Sequence, residues 1–442
     1  LLREHKLTSS LQKSKVWPVI RVASGNFLEM YDFMVFGYYA ATIGRTFFPG
    51  GSEYASLMKS LMTFAAGYLM RPLGAVVLGA YIDRHGRRKG LLLTLTLMAI
   101  GTLSVACMPS YATIGLIAPS LILLGRLVQG LSAGAQLGGV SVYLSEIATP
   151  GRKGFFVAWQ SASQQVAVML AAIIGVVLSF TFTPADMDRW GWRIPLLIGC
   201  AIIPFLFVLR NSLEETEEFA ARKHHPSFRE IMQSLSANWK LVTLGTMLAT
   251  LTTVGFYLIT AYTPTFGSVT LHLKNTSVQI VLLCVGASNF FWLPVMGALS
   301  DRVGRMTTLV TFSLITLITA YPTLLWLVAS PSFTRLLAAE LWISFIYGGY
   351  NGAMVVYLVE IMPASVRTAG FSVAYALATA IFGGFTPAIC TWLIQITGNK
   401  AVPGLWLSLA AALALTAALL LARSVPSTSV SPARSVALQS AD

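Results

Sequence analysis

Long apolar runs separated by short polar loops set the character of this chain. Most are about 20 to 28 residues long, the length a helix needs to cross a hydrocarbon layer of about 30 Å with some tilt. The runs are continuous rather than alternating, so they predict helices and not a membrane β-barrel. Twelve can be read, over roughly 17–44, 54–81, 90–108, 115–145, 154–181, 193–210, 239–264, 277–299, 307–329, 334–361, 368–396 and 404–422. The pattern predicts an all-α membrane protein with twelve transmembrane helices.

The longest polar stretch, 211–238, divides these runs six and six. It predicts an N-terminal bundle over 1–210, a cytoplasmic linker over 211–238, and a C-terminal bundle with a cytoplasmic tail over 239–442. The two parts resemble each other. Gly79-Ala-Tyr-Ile-Asp83-Arg84-His-Gly86-Arg87-Arg88 follows the second run, and Gly297-Ala-Leu-Ser-Asp301-Arg302-Val-Gly304-Arg305 follows the eighth, 218 residues later. Val142-Tyr143-Leu144-Ser145-Glu146-Ile147 recurs as Val356-Tyr357-Leu358-Val359-Glu360-Ile361 at an offset of 214. Two motifs at nearly one offset imply a duplicated unit and two pseudo-symmetric six-helix bundles. Transporters built this way bind substrate near the midplane, between halves that rock against each other.

Composition agrees with the pattern. Of 442 residues, 55% are hydrophobic and only 11% are charged, against about a quarter charged in soluble domains. Mean hydropathy is +0.71. The net charge of +13 is spread over short loops, which points to orientation and anionic lipid as the partner rather than nucleic acid. With the termini inside, 21 of the 30 Lys and Arg residues fall on the inner side and 7 on the outer, so both termini are expected to be cytoplasmic. A basic polar stretch leads directly into a full-length first run, so no cleavable signal peptide is expected. Cys107, Cys200, Cys284 and Cys390 fall singly in or beside different runs and read as packing residues, with no metal-ligand spacing.

Five ionisable side chains lie inside the runs: Glu29, Asp32, Arg71, Arg126 and Glu340. Each costs about 3 kcal/mol at the bilayer centre even on a lenient scale, so they must pair, line water or do work. Asn26, Glu29 and Asp32 recur every third residue along one side of the first helix. In the fourth, Arg126, Gln129, Ala133, Gln136, Val140 and Tyr143 make one inward stripe. Arg71 stands twelve residues before Asp83, about 18 Å from the inner end and too deep for easy snorkelling. The two arginines either grip substrate carboxylates with their planar forks or neutralise the internal acids. Further polar faces carry Gln160, Ser163 and Gln164 in the fifth run, Tyr257 and Thr260 in the seventh, and Glu340, Ser344, Tyr347 and Asn351 in the tenth. Glu340 follows Arg126 by the repeat offset of 214, which suggests an inter-half lock between them.

Gly130-Leu131-Ser132-Ala133-Gly134 matches the pattern of a hydrolase nucleophile elbow, but that reading needs a preceding strand and a histidine partner. The stretch lies mid-helix, and all five histidines lie in tails or loops. Gly130, Gly134 and Gly138 read instead as a small-residue face for close helix packing. With neither a nucleophile–base set nor a metal constellation, an enzyme is not expected. Taken as one cavity, two arginines against three carboxylates leave a net negative site that two protons would turn positive. Anion binding and proton uptake would then favour each other, although the same count admits a cation held by the acids and aromatic rings.

The Gly79 to Lys89 loop, its weaker repeat at Gly297 to Arg305, and the twelve-run plan resemble the major facilitator superfamily over essentially the whole chain. The resemblance implies inner-side latches at Asp83, Arg84, Arg87 and Arg88 and at Asp301, Arg302 and Arg305. In these the Asp caps a helix start and the Arg residues pair with acids, contacts that are made and broken as the halves move. The Ser24 to Gly37 segment is similar to the metabolite:proton symporter branch, and Gly125-Arg126-Leu127-Val128-Gln129-Gly130 resembles its Arg motif. That resemblance implies a proton-coupling pair of Asp32 and Arg126, with Glu29 as a further proton site. The polar faces make Asn26, Arg71, Arg126, Gln129, Gln136, Gln160, Ser163, Gln164, Tyr257, Tyr347 and Asn351 the candidate substrate contacts, with glue between helices as the alternative reading. Many branch members carry Glu where Gln136 stands here, so that site cannot titrate.

Within the branch the chain is most similar to tricarballylate and citrate carriers. Glu29-Met30-Tyr31-Asp32 and Ile259-Thr260-Ala261-Tyr262-Thr263-Pro264 lean toward tricarballylate. The resemblance thus implies tricarboxylate import by proton symport in a bacterial inner membrane, by a monomer without a cofactor. Citrate as substrate, passive exchange or sensing on the same fold, and sodium in place of the proton stay open.

Overall fold

A computed structural model of the chain describes residues 27–85, 87–134, 137–211, 228–363 and 367–424. All regular structure among these residues is helical. Nine described stretches are long and apolar enough to cross a membrane, and Leu92–Cys107 and Arg193–Pro204 are shorter apolar helices. With the first span, described from Phe27, they fill the twelve positions read from the sequence. Leu116, Phe180 and Ile318 are among the large apolar side chains left exposed on the perimeter, where lipid is the solvent.

Several spans are broken, and the breaks position side chains. The first divides at Tyr39 into Phe27–Tyr38 and Ala40–Phe47. The second divides at Met70 into Glu53–Leu69 and Arg71–His85. Pro72 explains the second break: it has no N–H to continue the ladder, and its fixed φ suits a helix start. Arg71 therefore begins a new helix deep in the bundle. The seventh span runs Trp239–Tyr257 and then widens into π-turns at Leu258–Tyr262 and Thr265–Thr270 on either side of Pro264, ending later than the predicted 264. The eleventh similarly passes from Arg367–Ala378 through a π-turn at Thr379–Gly383 to Thr386–Thr397. By contrast Asn275–Val303 and Arg305–Ala329 run through Pro294 and Pro322.

Small residues set how closely the spans approach. A Cβ on Gly130 would overlap the Gly67 carbonyl, and one on Gly134 the Arg71 carbonyl, so the second and fourth spans touch backbone to backbone. Gly138, predicted to share that face, lies instead against Ser372 and the Thr368 carbonyl of the eleventh span. The fifth span, Lys153–Thr181, crosses the eighth with Gly154 and Gly297 in mutual backbone contact. Ser132, in the elbow-like motif, is buried and donates to the Thr94 carbonyl at 2.6 Å, which agrees with packing rather than nucleophilic chemistry.

Candidate substrate and proton site

Both arginines sit beside the acids of the first span. Arg126 Nη1 donates to Asp32 Oδ2 at 2.9 Å, and Arg71 Nη2 lies 3.0 Å from Glu29 Oε1. Arg126 and Asp32 are 0% and 1% exposed, Arg71 and Glu29 2% and 5%. The two pairs share a wall: Phe33 lies 4.2 Å from the Arg126 guanidinium and 4.8 Å from that of Arg71. Phe36 faces Arg126 at 4.5 Å and Tyr68 faces Arg71 at 4.4 Å. A desolvated cation on an aromatic face gains about 2 kcal/mol or more, which offsets part of the burial cost. Glu29 and Asp32 are thus neutralised within one half, the alternative to free carboxylate grips. The net charge of this cluster is zero, not the −1 of a single five-residue cavity.

Donors remain unspent. Arg126 Nε and Nη2 and Arg71 Nε are buried without a hydrogen-bond partner. Gln129, predicted to touch substrate, is already engaged: its Oε1 accepts from Arg126 at 2.7 Å and its Nε2 donates to Thr102 at 3.1 Å. It holds Arg126 in place rather than facing an open site. In the fifth span Gln160 Oε1 accepts from Ser161 at 2.8 Å, Ser163 donates to the Gln160 carbonyl at 2.8 Å, and Gln164 is buried.

From the other half, Tyr257 packs edge-on against Tyr68 at 5.0 Å, closing the aromatic wall over Arg71. Tyr347 lies behind it against Phe256, and both amide atoms of the buried Asn351 lack a protein partner. Asn26 and Gln136 lie outside the described residues, as do the side chains of Asp83, Arg84, Arg87 and Arg88.

The second latch motif is described. Asp301 accepts from the Gly154 and Phe155 N–H groups at 2.8 and 3.1 Å, capping the start of the fifth span from across the molecule. Arg305 donates to the same carboxylate at 2.6 Å and stands 3.5 Å from Glu360, while Arg302 is exposed. This face is closed by those contacts and by Gly154 against Gly297. Toward the opposite face a cavity of about 560 Å³ lies between the first, fifth, seventh and eighth spans, with Arg45, Asp188, Lys274 and Gln279 in its lining. Arg45 and Asp188 pair there at 2.5 Å, about half exposed.

Residues 18–432 match the sugar (and other) transporter family. The chain belongs to that family. Its relatives include the citrate-proton symporter of Klebsiella pneumoniae, 58% identical over 404 residues and 91% of each chain. The alpha-ketoglutarate permease of Escherichia coli K12 is 36% identical over 394 residues, covering 86% of this chain and 88% of the permease. The xylose transporter XylE of Escherichia coli, in a partially occluded inward open conformation, superposes with a TM-score of 0.74 at 17% identity over 92% of this chain and 97% of that one. At that identity the likeness carries the fold, the major facilitator plan of two six-helix halves.

For this transporter the symmetry argument misplaced one residue. Glu340 does not face Arg126, which Asp32 already occupies; its Oε1 lies 2.9 Å from the Thr263 hydroxyl inside its own half. The repeat offset locates equivalent helix positions, but the two halves carry different partners there. Sequence reasoning also missed a polar bridge between the halves. Ser344 donates to Asn289 Oδ1 at 2.7 Å, and Asn289 Nδ2 donates to Gln165 Oε1 of the fifth span at 3.2 Å. A signal existed, since Asn289 follows Arg71 by the latch offset of 218 residues. Glu360 likewise stood in a recognised repeat motif, without a partner assigned to it.

Proposed function

We propose that this protein is a proton-driven tricarboxylate symporter whose first substrate is citrate, working by alternating access. The observation that carries the reading is a pair of buried, mutually neutralised arginine–carboxylate contacts, Arg126–Asp32 and Arg71–Glu29, in a chain 58% identical to a citrate-proton symporter. A proton arriving on Asp32 or Glu29 removes the charge that occupies its arginine. The freed guanidinium then offers its fork to a substrate carboxylate, so proton and anion each promote the other's binding. Substrate leaving on the far side returns the arginine to its acid and expels the proton. Arg126 and Arg71 are the carboxylate grips in this scheme, Asp32 and Glu29 the proton carriers, and Tyr257 and Tyr68 the aromatic wall between site and seam. Asp301, Arg305 and Glu360 form the latch that one state makes and the other breaks. No cofactor is required beyond the coupling proton.

Citrate takes precedence over tricarballylate because the relative at 58% identity is a citrate-proton symporter, and the residues that lean toward tricarballylate are engaged in helix packing. The Tyr31 hydroxyl donates to the Pro195 carbonyl at 2.7 Å, Thr260 donates to the Phe256 carbonyl at 2.5 Å, and Met30, Ile259 and Ala261 are buried in packing. These positions report helix contacts, not whether the ligand carries a hydroxyl. Uptake of radiolabelled citrate and tricarballylate into proteoliposomes, with and without an inward proton gradient, tests the assignment. Gradient-driven accumulation of citrate is expected; transport of neither compound would remove the substrate class, and accumulation indifferent to the gradient would remove symport.

A further inference from the structure

Glu340 has no part in that cycle, yet among the described residues it is a buried acid without a counter-charge. It lies about two turns into the tenth span, Phe333–Ile361, and is 6% exposed. Its Oε1 meets Thr263 Oγ1, while its Oε2 is buried with no hydrogen-bond partner. Among the described residues no lysine, arginine or histidine is within ion-pair distance of it. Arg335, one turn earlier, turns away to the Trp326 carbonyl and ring. The other bases on or beside the elements packed around this helix, Lys153, Lys240, Lys274, Arg302, Arg305 and Arg367, stand at helix ends, and Glu29 and Asp32 are engaged with arginines. Other titratable groups within these spans include tyrosines and a thiol: Tyr257 and Tyr262 on the seventh span, Cys284 on the eighth, Tyr321 on the ninth, Tyr375 on the eleventh, and Tyr347 and Tyr350 on its own.

The hydroxyl of Thr263 carries one proton but lies within reach of two acceptors, Glu340 Oε1 at 2.9 Å and the Leu258 carbonyl at 3.2 Å. One proton can serve both acceptors only as a shared, weaker bifurcated bond; two full hydrogen bonds form when the carboxyl brings its own proton, with Glu340 donating to Thr263 and Thr263 donating to Leu258. An ionised carboxylate would instead draw the hydroxyl to itself, release the Leu258 carbonyl and stand buried without a counter-charge. Leu258 opens the π-turn Leu258–Tyr262, and within that turn Ala261 packs against Gly37 of the first span.

We propose that Glu340 is a second proton-binding site, in the half opposite Glu29 and Asp32, and that its occupancy acts through Thr263 on the π-turn that meets the first span. The step is a plain protonation: a proton from water forms the O–H bond at the carboxylate, and no other bond breaks. The site rests on the proton-symport reading and extends it by giving the C-terminal half its own coupling ion, since a tricarboxylate carries up to three negative charges and Glu29 and Asp32 can take two protons between them.

Infrared difference spectroscopy of the membrane-reconstituted protein, titrated with acid in the absence of substrate, tests proton binding directly. The wild type should show a carboxylic C=O band that Glu340→Gln removes, and Thr263→Val should shift that band as its hydrogen bond is lost. A spectrum unchanged by both variants overturns the proposal. If Glu340→Gln fails to fold, the band shift in Thr263→Val decides alone. In transport, the proton-to-citrate ratio from reversal potentials should fall by one in Glu340→Gln, and an unchanged ratio would overturn the coupling role. Because the infrared arm needs no substrate, failure of citrate transport with the band present would count against the symport reading and leave proton binding at Glu340 standing.

Discussion

At the scale of single residues, burial rather than charge number governs the site. Asp32 and Arg126 are each held by a partner and by aromatic walls, so removing one side leaves an uncompensated charge in a dry bundle. Asp32→Asn is expected to abolish gradient-driven accumulation while sparing citrate exchange, and to lower stability by about 3–5 kcal/mol, read from thermal unfolding in detergent. Adding Arg126→Gln should recover most of that stability without restoring accumulation, a double-mutant comparison that separates pairing from coupling. Full accumulation in Asp32→Asn would take that acid out of the proton path. Phe33 is a second residue-scale test because both guanidinium groups rest on one ring. Phe33→Leu keeps much of the volume and loses the ring face; a loss of about 1–2 kcal/mol is expected from cation–π contacts alone. A melting temperature equal to wild type would show that the ring serves only as filler.

At the scale of elements, glycine contacts decide whether the charged residues meet at all. Arg71 begins a helix at the Pro72 break and Arg126 stands on the span that touches it, so both pairs depend on how near the second and fourth spans lie. Gly134→Val should push those spans apart, since even a Cβ overlaps the Arg71 carbonyl. Transport below about a tenth of wild type is expected, matching a contact loss of about 1.4 kcal/mol or more, with reduced yield of folded protein. Gly139→Ala, where a Cβ meets nothing, should be tolerated and serves as the control. Equal uptake by the two variants would mean that the approach of these spans is not limiting. The π-turns at Leu258–Tyr262 and Thr379–Gly383 belong to this scale too: each breaks the regular helical ladder where its span packs against the first or second span of the other half.

At the scale of the whole molecule, two half-bundles of similar plan carry different chemistry, and the contacts of Asp301 and Arg305 close one face. Asp301→Asn removes a charged acceptor from two backbone N–H groups and from Arg305, contacts worth about 1.5–3 kcal/mol each when charge-assisted. The variant should favour opening of the latch face. A cysteine placed at Ser372, now buried against Gly138, should then react with a thiol reagent several-fold faster than in the otherwise wild-type background. Equal labelling would leave Asp301 a helix cap and nothing more. The sequence by itself determined the helical membrane class, the twelve spans, the duplication and the identity of the five buried charges. Hydrophobic run length and the cost of charge in lipid act locally along the chain, and so they can be read from it. The family resemblance implied the Asp32–Arg126 pair, but the hydrophobic pattern alone did not say which acid meets which arginine, and the partner of Arg71 was left open. Asp32 and Arg126 are 94 residues apart, and only the glycine-controlled approach of the spans brings them to 2.9 Å. Glu340 makes the same point in reverse: the repeat offset named its equivalent position, and three-dimensional packing gave it Thr263 in place of Arg126. Pairing across helices depends on rotation and depth to within a side chain's length, and these are set by contacts among all the spans at once.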